Sequence, residues 1–303
     1  MRKALFVGNP IAGRAGHGLV RARCVEAMAG LGLEVEMVET SGPGQVAGLI
    51  AERRNADFDM LVAAGGDGTI REVADTASRI DVPFGIIPVG TSNSVARELG
   101  LPTKPLEAAR VVATGAPRSV DMADAAGRRF LLCVGVGFDA EVVSTMHATR
   151  RGGISLVHYL PAVVRACLSY SFPHIEVVVD GVPQPPGPVQ VVIGNTRVWG
   201  GPMVLAPEAR VDDGLLDVCL FYGSRLSLLG QGVRALLRRP MAGRRNRLSG
   251  SGAILCRARE VFIPGPPSVP VEMDGDPGPP LPLAIKVLPG AARVIVPTDA
   301  ARQ

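Results

Sequence analysis

Asp59-Met60-Leu61-Val62-Ala63-Ala64-Gly65-Gly66-Asp67-Gly68-Thr69-Ile70-Arg71-Glu72 is the stretch on which the fold turns. Residues 59–64 are nearly all apolar, as in a strand of a parallel sheet covered on both faces. Glycines end the run at once, and a helix is expected over 70–78. Glycine permits backbone conformations in which several N–H groups converge on one anion. The start of a helix adds unpaired N–H groups and a partial positive charge. A carboxylate inside such a loop suits a phosphate only beside a cation. Asp67 therefore points to Mg²⁺, held directly or through water. The competing reading is a glycine-rich turn in which Asp67 caps the helix.

Outward from this stretch the same alternation repeats. Residues 3–7 form a short apolar run that ends in Gly8-Asn9-Pro10. Residues 17–31 have helical periodicity through Leu19, Val20, Ala27 and Leu31, 33–38 alternate as a strand, and 46–54 read as a helix. On the other side, 84–87 form a strand, followed by Pro88-Val89-Gly90-Thr91-Ser92-Asn93 and a helix to Leu99. This β-α-β-α order predicts a doubly wound sheet with ligands at the carboxyl ends of its strands. The loops Asn9-Pro10-Ile11-Ala12-Gly13-Arg14 and Gly90-Thr91-Ser92-Asn93 share the character of Gly65–Thr69. Singly they are ordinary turns. Three of them facing one crevice predict a nucleotide site.

From about residue 119 onward, strands dominate: 119–124, 129–138, 175–179, 189–194, 215–221, 253–257, 261–263, 269–274 and 282–287. Turns such as Asp180-Gly181 and Asp213-Gly214 separate them, which suggests a β-sandwich or barrel-like domain. Helical stretches interrupt it near 154–168 and 226–238. The domains expected are 1–117, with the tail 290–303 returning to it, and 118–289. The 37 Gly and 26 Pro of the 303 residues signal many turns, yet 47% apolar and 20% charged residues exclude a disordered chain. No apolar run approaches the ~20 residues of a spanning helix, and no secretory signal is visible. Lys occurs only at positions 3, 104 and 286, so the net charge of +4 is carried by Arg. The five Cys and four His show no metal-ligand spacing, which leaves reduced thiols as the expectation. Walker-type, dinucleotide-type and serine-hydrolase motifs are absent.

Asn9-Pro-x-x-Gly13, Gly65-Gly-Asp-Gly-Thr69-x-x-Glu72 and Pro88-x-Gly-Thr-x-Asn93, then Ala96-Arg97 and Leu99, resemble the diacylglycerol kinase catalytic family, with its bacterial lipid kinases and its sphingosine and ceramide kinases. The similarity continues through Gly135-x-Gly-Phe-Asp139-Ala, Asn195, Gly200-Gly201, Pro207-x-Ala209-x-x-x-Asp213-Gly-x-Leu216 and Asp274-Gly275. It covers nearly the whole chain in the family's order. Gly-Gly-Asp-Gly alone is shared with NAD kinases and phosphofructokinases; the later motifs are specific to lipid kinases.

The resemblance implies an amino-terminal three-layer α/β nucleotide domain of the NAD kinase and phosphofructokinase kind. It implies a carboxy-terminal β-sandwich-like lipid domain, with the active site between the two. ATP and Mg²⁺ would be used. Asn9, Pro10, Ile11, Ala12, Gly13, Thr40, Gly65, Gly66, Asp67, Gly68, Thr69, Glu72, Gly90, Thr91 and Asn93 would contact ATP. Asp274 would accept the proton of the lipid hydroxyl, a reasonable task for a carboxylate, although Asp274-Gly275 also reads as a hairpin turn.

Three residues depart from the family. Arg14 stands where a Lys is often held by carboxylates; Asp121 is the carboxylate expected to hold it. A structural Mg²⁺ site is matched by Asp213 and the Leu215 carbonyl, but Arg210 replaces one carboxylate there and would repel the ion. Asp276 replaces a Glu after the catalytic turn.

Residues 225–247 hold seven Arg and no acid, with Leu226, Leu229, Val233, Leu236 and Leu237 at helical spacing. A basic amphipathic helix of this kind suits an anionic membrane surface; the alternative is a helix packed on the β domain. The expected location is cytoplasmic, at the inner face of the cell membrane, with a lipid substrate and no nucleic-acid partner. An exposed edge strand would allow a homodimer. Two other functions share part of the pattern: a NAD kinase-like enzyme, and a catalytically silent nucleotide- or lipid-binding regulator.

Overall fold

The structure, a computed structural model, describes residues 2–10, 17–53, 58–149, 156–199, 203–224, 228 and 252–298. The chain divides into two compact units, Met1–Val120 with Gly290–Gln303, and Asp121–Pro289. The elements begin with β1 (Arg2–Gly8), α1 (His17–Ala29), β2 (Leu33–Glu39), α2 (Val46–Ala51), β3 (Met60–Gly65), α3 (Asp67–Arg79), β4 (Phe84–Pro88), α4 (Ser94–Glu98), α5 (Pro105–Thr114) and β5 (Ala116–Ala125). There follow β6 (Arg128–Phe130), β7 (Cys133–Gly137), α6 (Phe138–Thr149), α7 (Leu156–Ser169), β8 (Val178–Val179), β9 (Val182–Pro183) and β10 (Gln190–Gly194). The last are β11 (Val198–Trp199), β12 (Met203–Val204), β13 (Leu216–Phe221), β14 (Ala253–Ala258), β15 (Glu260–Ile263), β16 (Val271–Met273), β17 (Asp276–Pro277) and β18 (Leu283–Val296).

In the first unit β2, β1, β3 and β4 lie side by side and parallel. The end of β18 extends this sheet, with Val294 opposite Phe84 of β4. Side chains alternate across each strand. Phe6 of β1 and Met60, Val62 and Ala64 of β3 meet Cys24 and Met28 of α1 and Ala109, Val112 and Ala113 of α5 on one face. On the helix α3, Ile70, Val73, Ala74 and Ala77 are buried. They recur at helical spacing and form one stripe, and α3 packs against β3 and β4. Burial on both faces is why β1 and β3 read as unbroken apolar runs.

Helix α3 begins at Asp67, three residues before the expected start, because Gly66 takes the N-cap position and the Ile70 N–H bonds its carbonyl at 3.0 Å. Helix α5 was not foreseen. Pro105 at its first turn and buried Ala108, Ala109, Val112 and Ala113 are its sequence signals. It crosses so close to β4 that a Cβ on Gly85 would lie 2.6 Å from Val112 Cγ2.

In the second unit β14, β13, β10, β7, β16 and β17 form a six-stranded antiparallel sheet. A second layer runs from β18 through β15 and β8 to β9. Val134, Val136, Val191, Ile193, Val218 and Leu220 of the first layer pack with Val261, Ile263, Leu283 and Ile285 of the second. This is a sandwich core. The single strand expected over 129–138 is broken into β6, β7 and the start of α6. Leu131 and Leu132 direct their N–H groups to the Asp274 carboxylate, and Gly137 turns the chain at φ 98° into the helix. The strand expected over 282–287 continues to Val296 as the chain returns to the first unit. The basic segment 225–247 lies, apart from Leu228, outside the described residues. All five cysteines are free thiols. Among the described residues no helix is long and apolar enough to cross a membrane.

Candidate active site

The loops after β1, β3 and β4 meet at one edge of the parallel sheet. The Asn9 N–H bonds the Ala64 carbonyl at 3.1 Å, and Asn9 Nδ2 reaches Thr69 Oγ1 at 3.4 Å. The Val89 N–H bonds the Gly65 carbonyl at 3.1 Å. Asp67, at the first position of α3, accepts the Val95 N–H at 3.1 Å and so joins α3 to the start of α4. A Cβ on Gly90 would lie 2.6 Å from Gly66 Cα, and one on Gly65 would lie 2.5 Å from Thr69 Oγ1. Only glycine allows these approaches. Thr40 is buried at the end of β2, its N–H on the Gly8 carbonyl at 2.9 Å. Glu72 Oε1 accepts the Gly44 N–H at 2.8 Å. Pro10 and Thr91 are exposed beside this edge. Ile11, Ala12, Gly13 and Arg14 lie outside the described residues.

This edge has donors and one partly buried acid. The first intrahelical bond of α3 comes from Ile70, so the preceding N–H groups have no partner within the helix. Burial pushes the Asp67 carboxyl above its ordinary range, against the opposing N–H groups of Val95, Ser94 and Asn93 and the charge of Arg97. A bound cation would relieve that cost. Asn93, at φ 51°, keeps its Oδ1 buried with no hydrogen-bond partner among the described residues. Such an acceptor is commonly completed by water or ligand. One carboxylate among backbone donors matches the habit of Mg²⁺, which takes one or two carboxylates and fills its shell with phosphate oxygens and water. The residues fit a triphosphate with its metal.

Sequence reasoning missed Arg21. It is 4% exposed, with Nη1 on the Asn9 carbonyl at 3.2 Å and Nη2 on Glu39 Oε1 at 3.0 Å. It anchors the first loop from beneath. Its position on the buried side of α1, one strand away from Glu39, could not be read from spacing.

In the second unit Asp274 and Gly275 are the two turn residues between β16 and β17, at φ 53° and 85°. Two successive residues at positive φ make the tight hairpin that matches strand twist. The Asp274 carboxylate is 8% exposed and accepts N–H groups from Leu131 at 3.0 Å and from Leu132 and Cys133 at 2.9 Å. The turn and the acid are therefore one feature. The acid is placed by its own backbone strain and by the irregular stretch between β6 and β7.

Residues 3–125 match the diacylglycerol kinase catalytic domain. Residues 132–296 match the YegS C-terminal NAD kinase beta sandwich-like domain. The chain belongs to the diacylglycerol kinase catalytic family. It is a lipid kinase by family, a phosphotransferase with an alcohol acceptor. A protein of Pseudomonas aeruginosa named "Probable lipid kinase YegS-like" is 32% identical over 94% of this chain and 91% of its own. The diacylglycerol kinase of Bacillus subtilis is 26% identical over 100% of this chain and 99% of its own. A crystal structure of a diacylglycerol kinase from Bacillus anthracis has the same fold, with a TM-score of 0.74 at 21% identity over 99% of this chain and 98% of that one.

In this lipid kinase the Asp213 loop is closed by ion pairs and backbone bonds. Asp213 Oδ1 accepts the Leu215 N–H at 3.2 Å, and its Oδ2 pairs with Arg257 Nη1 at 3.2 Å. Arg257 also reaches Asp217 Oδ1 at 3.4 Å and the Glu208 carbonyl at 2.7 Å. Arg210 turns to Asp212 at 3.1 Å. Asp121 Oδ2 accepts the Gly214 N–H at 2.7 Å, which closes the loop from the other side. A guanidinium already neutralises the acids that a structural Mg²⁺ would use, and like charges repel. Among the described residues no cluster of His, Cys, Asp or Glu is arranged to hold a metal. These donors fit Arg257 rather than a divalent ion. Arg257→Ala is expected to lower unfolding free energy by about 3 kcal/mol, because it removes the guanidinium that pairs with both Asp213 and the nearly buried Asp217. EDTA is expected to leave the nucleotide-free wild type unchanged; urea unfolding of both proteins with and without EDTA checks this.

Proposed function

We propose that this enzyme transfers the γ-phosphoryl group of ATP, with Mg²⁺, to the hydroxyl of diacylglycerol or a related lipid. The observation that carries this reading is the meeting of the loops after β1, β3 and β4 around Asp67. The N–H groups at Gly66–Thr69 and the Gly90–Asn93 loop bind and orient the triphosphate, with Asn9, Thr40 and Glu72 bracing the edge. Asp67 holds the metal. When bound, Mg²⁺ neutralises phosphate oxygens and draws charge from the transferring group. Asp274 takes the proton of the lipid alcohol as its oxygen attacks. Phosphoryl transfer depends mainly on positioning and charge neutralisation. A framework of glycine approaches and backbone donors is suited to that task because it does not reorganise.

The arginine-rich segment 225–247 supplies the attraction to an anionic membrane, about 1 kcal/mol for each basic residue near the surface. It would bring the enzyme to the cytoplasmic face, where the lipid resides.

The test is transfer of labelled γ-phosphate from ATP into a panel of diacylglycerol, a sphingoid base, ceramide, phosphatidylglycerol and a prenol. Label in none of them, with folded protein and Mg²⁺ present, overturns the reading. Asp67→Asn sharpens it. The amide oxygen can still accept the Val95 N–H while the charge is lost, and circular dichroism checks that the variant is folded. A fall of about 100-fold in kcat is expected, with a higher Mg²⁺ requirement in a titration of rate against metal.

A further inference from the structure

Beneath the Asp274 turn lies a second pair of acids. Glu272 of β16 is 2% exposed and Asp139 of α6 is 4% exposed. Val271 and Met273 belong to the sandwich core, so Glu272 between them points to the opposite face of the sheet. There it faces Asp139, with Asp139 Oδ2 and Glu272 Oε1 converging on the same space above Gly135. Gly135 of β7 makes room for them: a Cβ there would lie 2.5 Å from Asp139 Oδ2 and 2.7 Å from Glu272 Oε1.

Among the described residues the outer contacts of the pair supply donors only. Trp199 Nε1 donates to Asp139 Oδ2 at 2.7 Å, and the Gly275 N–H donates to Glu272 Oε2 at 2.8 Å. Cys133 Sγ lies 3.8 Å from Glu272 Oε1 as a weak donor. No described cation pairs with either acid. Two buried carboxylates brought together without a cation cannot both ionise, so their approach needs a proton. Burial pushes both groups above their ordinary range, and Glu272 further because it faces Asp139 and Asp274.

We propose that Asp139 and Glu272 share one proton in the working enzyme, and that this pair is the positioning unit that fixes the Asp274–Gly275 turn. The chain of donors then closes: the indole to Asp139, the protonated Glu272 to Asp139, and the Gly275 N–H to Glu272. Helix α6 completes the mount at its other end. His147 Nε2 lies 3.0 Å from the Gly275 carbonyl and 3.6 Å from Asp276 Oδ1. Asp276, one of the three departures from the family pattern, is thereby tied to the same helix. The inference rests on reading Asp274 as the proton acceptor, since only then does the turn's geometry bear on turnover.

Infrared spectroscopy of full-length wild type and Glu272→Gln at neutral pH reads the proton itself. A protonated-carboxyl C=O band is expected in the wild type and is expected to vanish in Glu272→Gln; its absence from the wild type overturns the proposal. Turnover is measured with MgATP and diacylglycerol in mixed micelles. Glu272→Ala is expected to lose about 100-fold in kcat, the scale of a misplaced reacting group. Glu272→Gln is expected to recover at least about tenfold of that loss, because glutamine can donate to Asp139 and accept from Gly275. Equal losses in the two variants, both folded by circular dichroism, overturn it as well.

The kcat–pH profile gives a third readout. The titratable groups facing the pair are Cys133 on β7 and Asp274 in the turn, and His147 on α6 and Asp276 on β17 stand at the turn itself. Losing the shared proton as pH rises puts a second anion in the pocket, so wild-type kcat falls on an alkaline limb that Glu272→Gln lacks. An identical profile in both proteins counts against the proposal. Retained activity in Asp274→Asn would sink the proton-acceptor reading alone, because the infrared band reports the pair independently.

Discussion

Asp274→Asn is expected to lower kcat by about 10²–10⁴-fold, the usual contribution of a positioned general base, while ATP affinity is kept. The substitution has a structural cost as well. The carboxylate accepts three backbone N–H groups, from Leu131, Leu132 and Cys133. An asparagine has one acceptor oxygen, and its NH₂ would face a donor. The loss of stability should be about 1–3 kcal/mol, the cost of leaving a buried polar group unsatisfied. Two measurements separate the effects: urea unfolding for the turn, and single-turnover transfer with saturating ATP for the chemistry. A variant that turns over within a few-fold of the wild type, despite the lost stability, would remove Asp274 from the reaction.

Gly90→Ala should have the next largest effect, and on the nucleotide rather than the acceptor. Its Cβ would fall 2.6 Å from Gly66 Cα and 3.0 Å from Asn93 Oδ1. The first contact is with backbone, which has no rotamer to change, so the loops after β3 and β4 must part. Overpacking of this kind costs about 1–3 kcal/mol in stability. ATP affinity should fall by about tenfold or more, which corresponds to ~1.4 kcal/mol, because the N–H groups no longer converge. Gly66→Ala is the informative partner. Its Cβ would lie 3.7 Å from Gly90 Cα, an ordinary contact, and φ is −87°. Stability should be unchanged there, while affinity falls if the phosphates pack against this glycine. Calorimetric ATP titration of the two variants distinguishes a fold defect from a direct contact.

Much of the first unit was legible. Strands β1, β3 and β4 announce themselves as apolar runs, because a strand buried on both faces has no polar position to blur the signal, while β2 shows itself by alternation. Helix α5 was passed over because small apolar residues such as Ala108 and Ala109 carry little periodic contrast. The second unit reads as strands interrupted by helices near 154–168 and 226–238, and the difference at 129–138 is instructive. Leu131 and Leu132 look like strand residues, yet their N–H groups are taken by an acid 142 positions away in the case of Leu132. Local pattern holds no record of such a partner. Glu272 was overlooked for a related reason. An acid in an alternating strand reads as solvent-facing, and only the arrival of α6 over that face buries it.

The sequence by itself determined the layered α/β unit, the β-rich unit and the family, because hydrophobic period and glycine placement are local properties that each segment carries with it. Tertiary structure alone decided that Asp67 caps a second helix start, that Arg257 neutralises the Asp213 loop, and that Glu272 is buried against Asp139. Each of those outcomes depends on which charges are brought within a few ångströms and shut away from water. The energy of a charge is set by that enclosure, not by its neighbours along the chain.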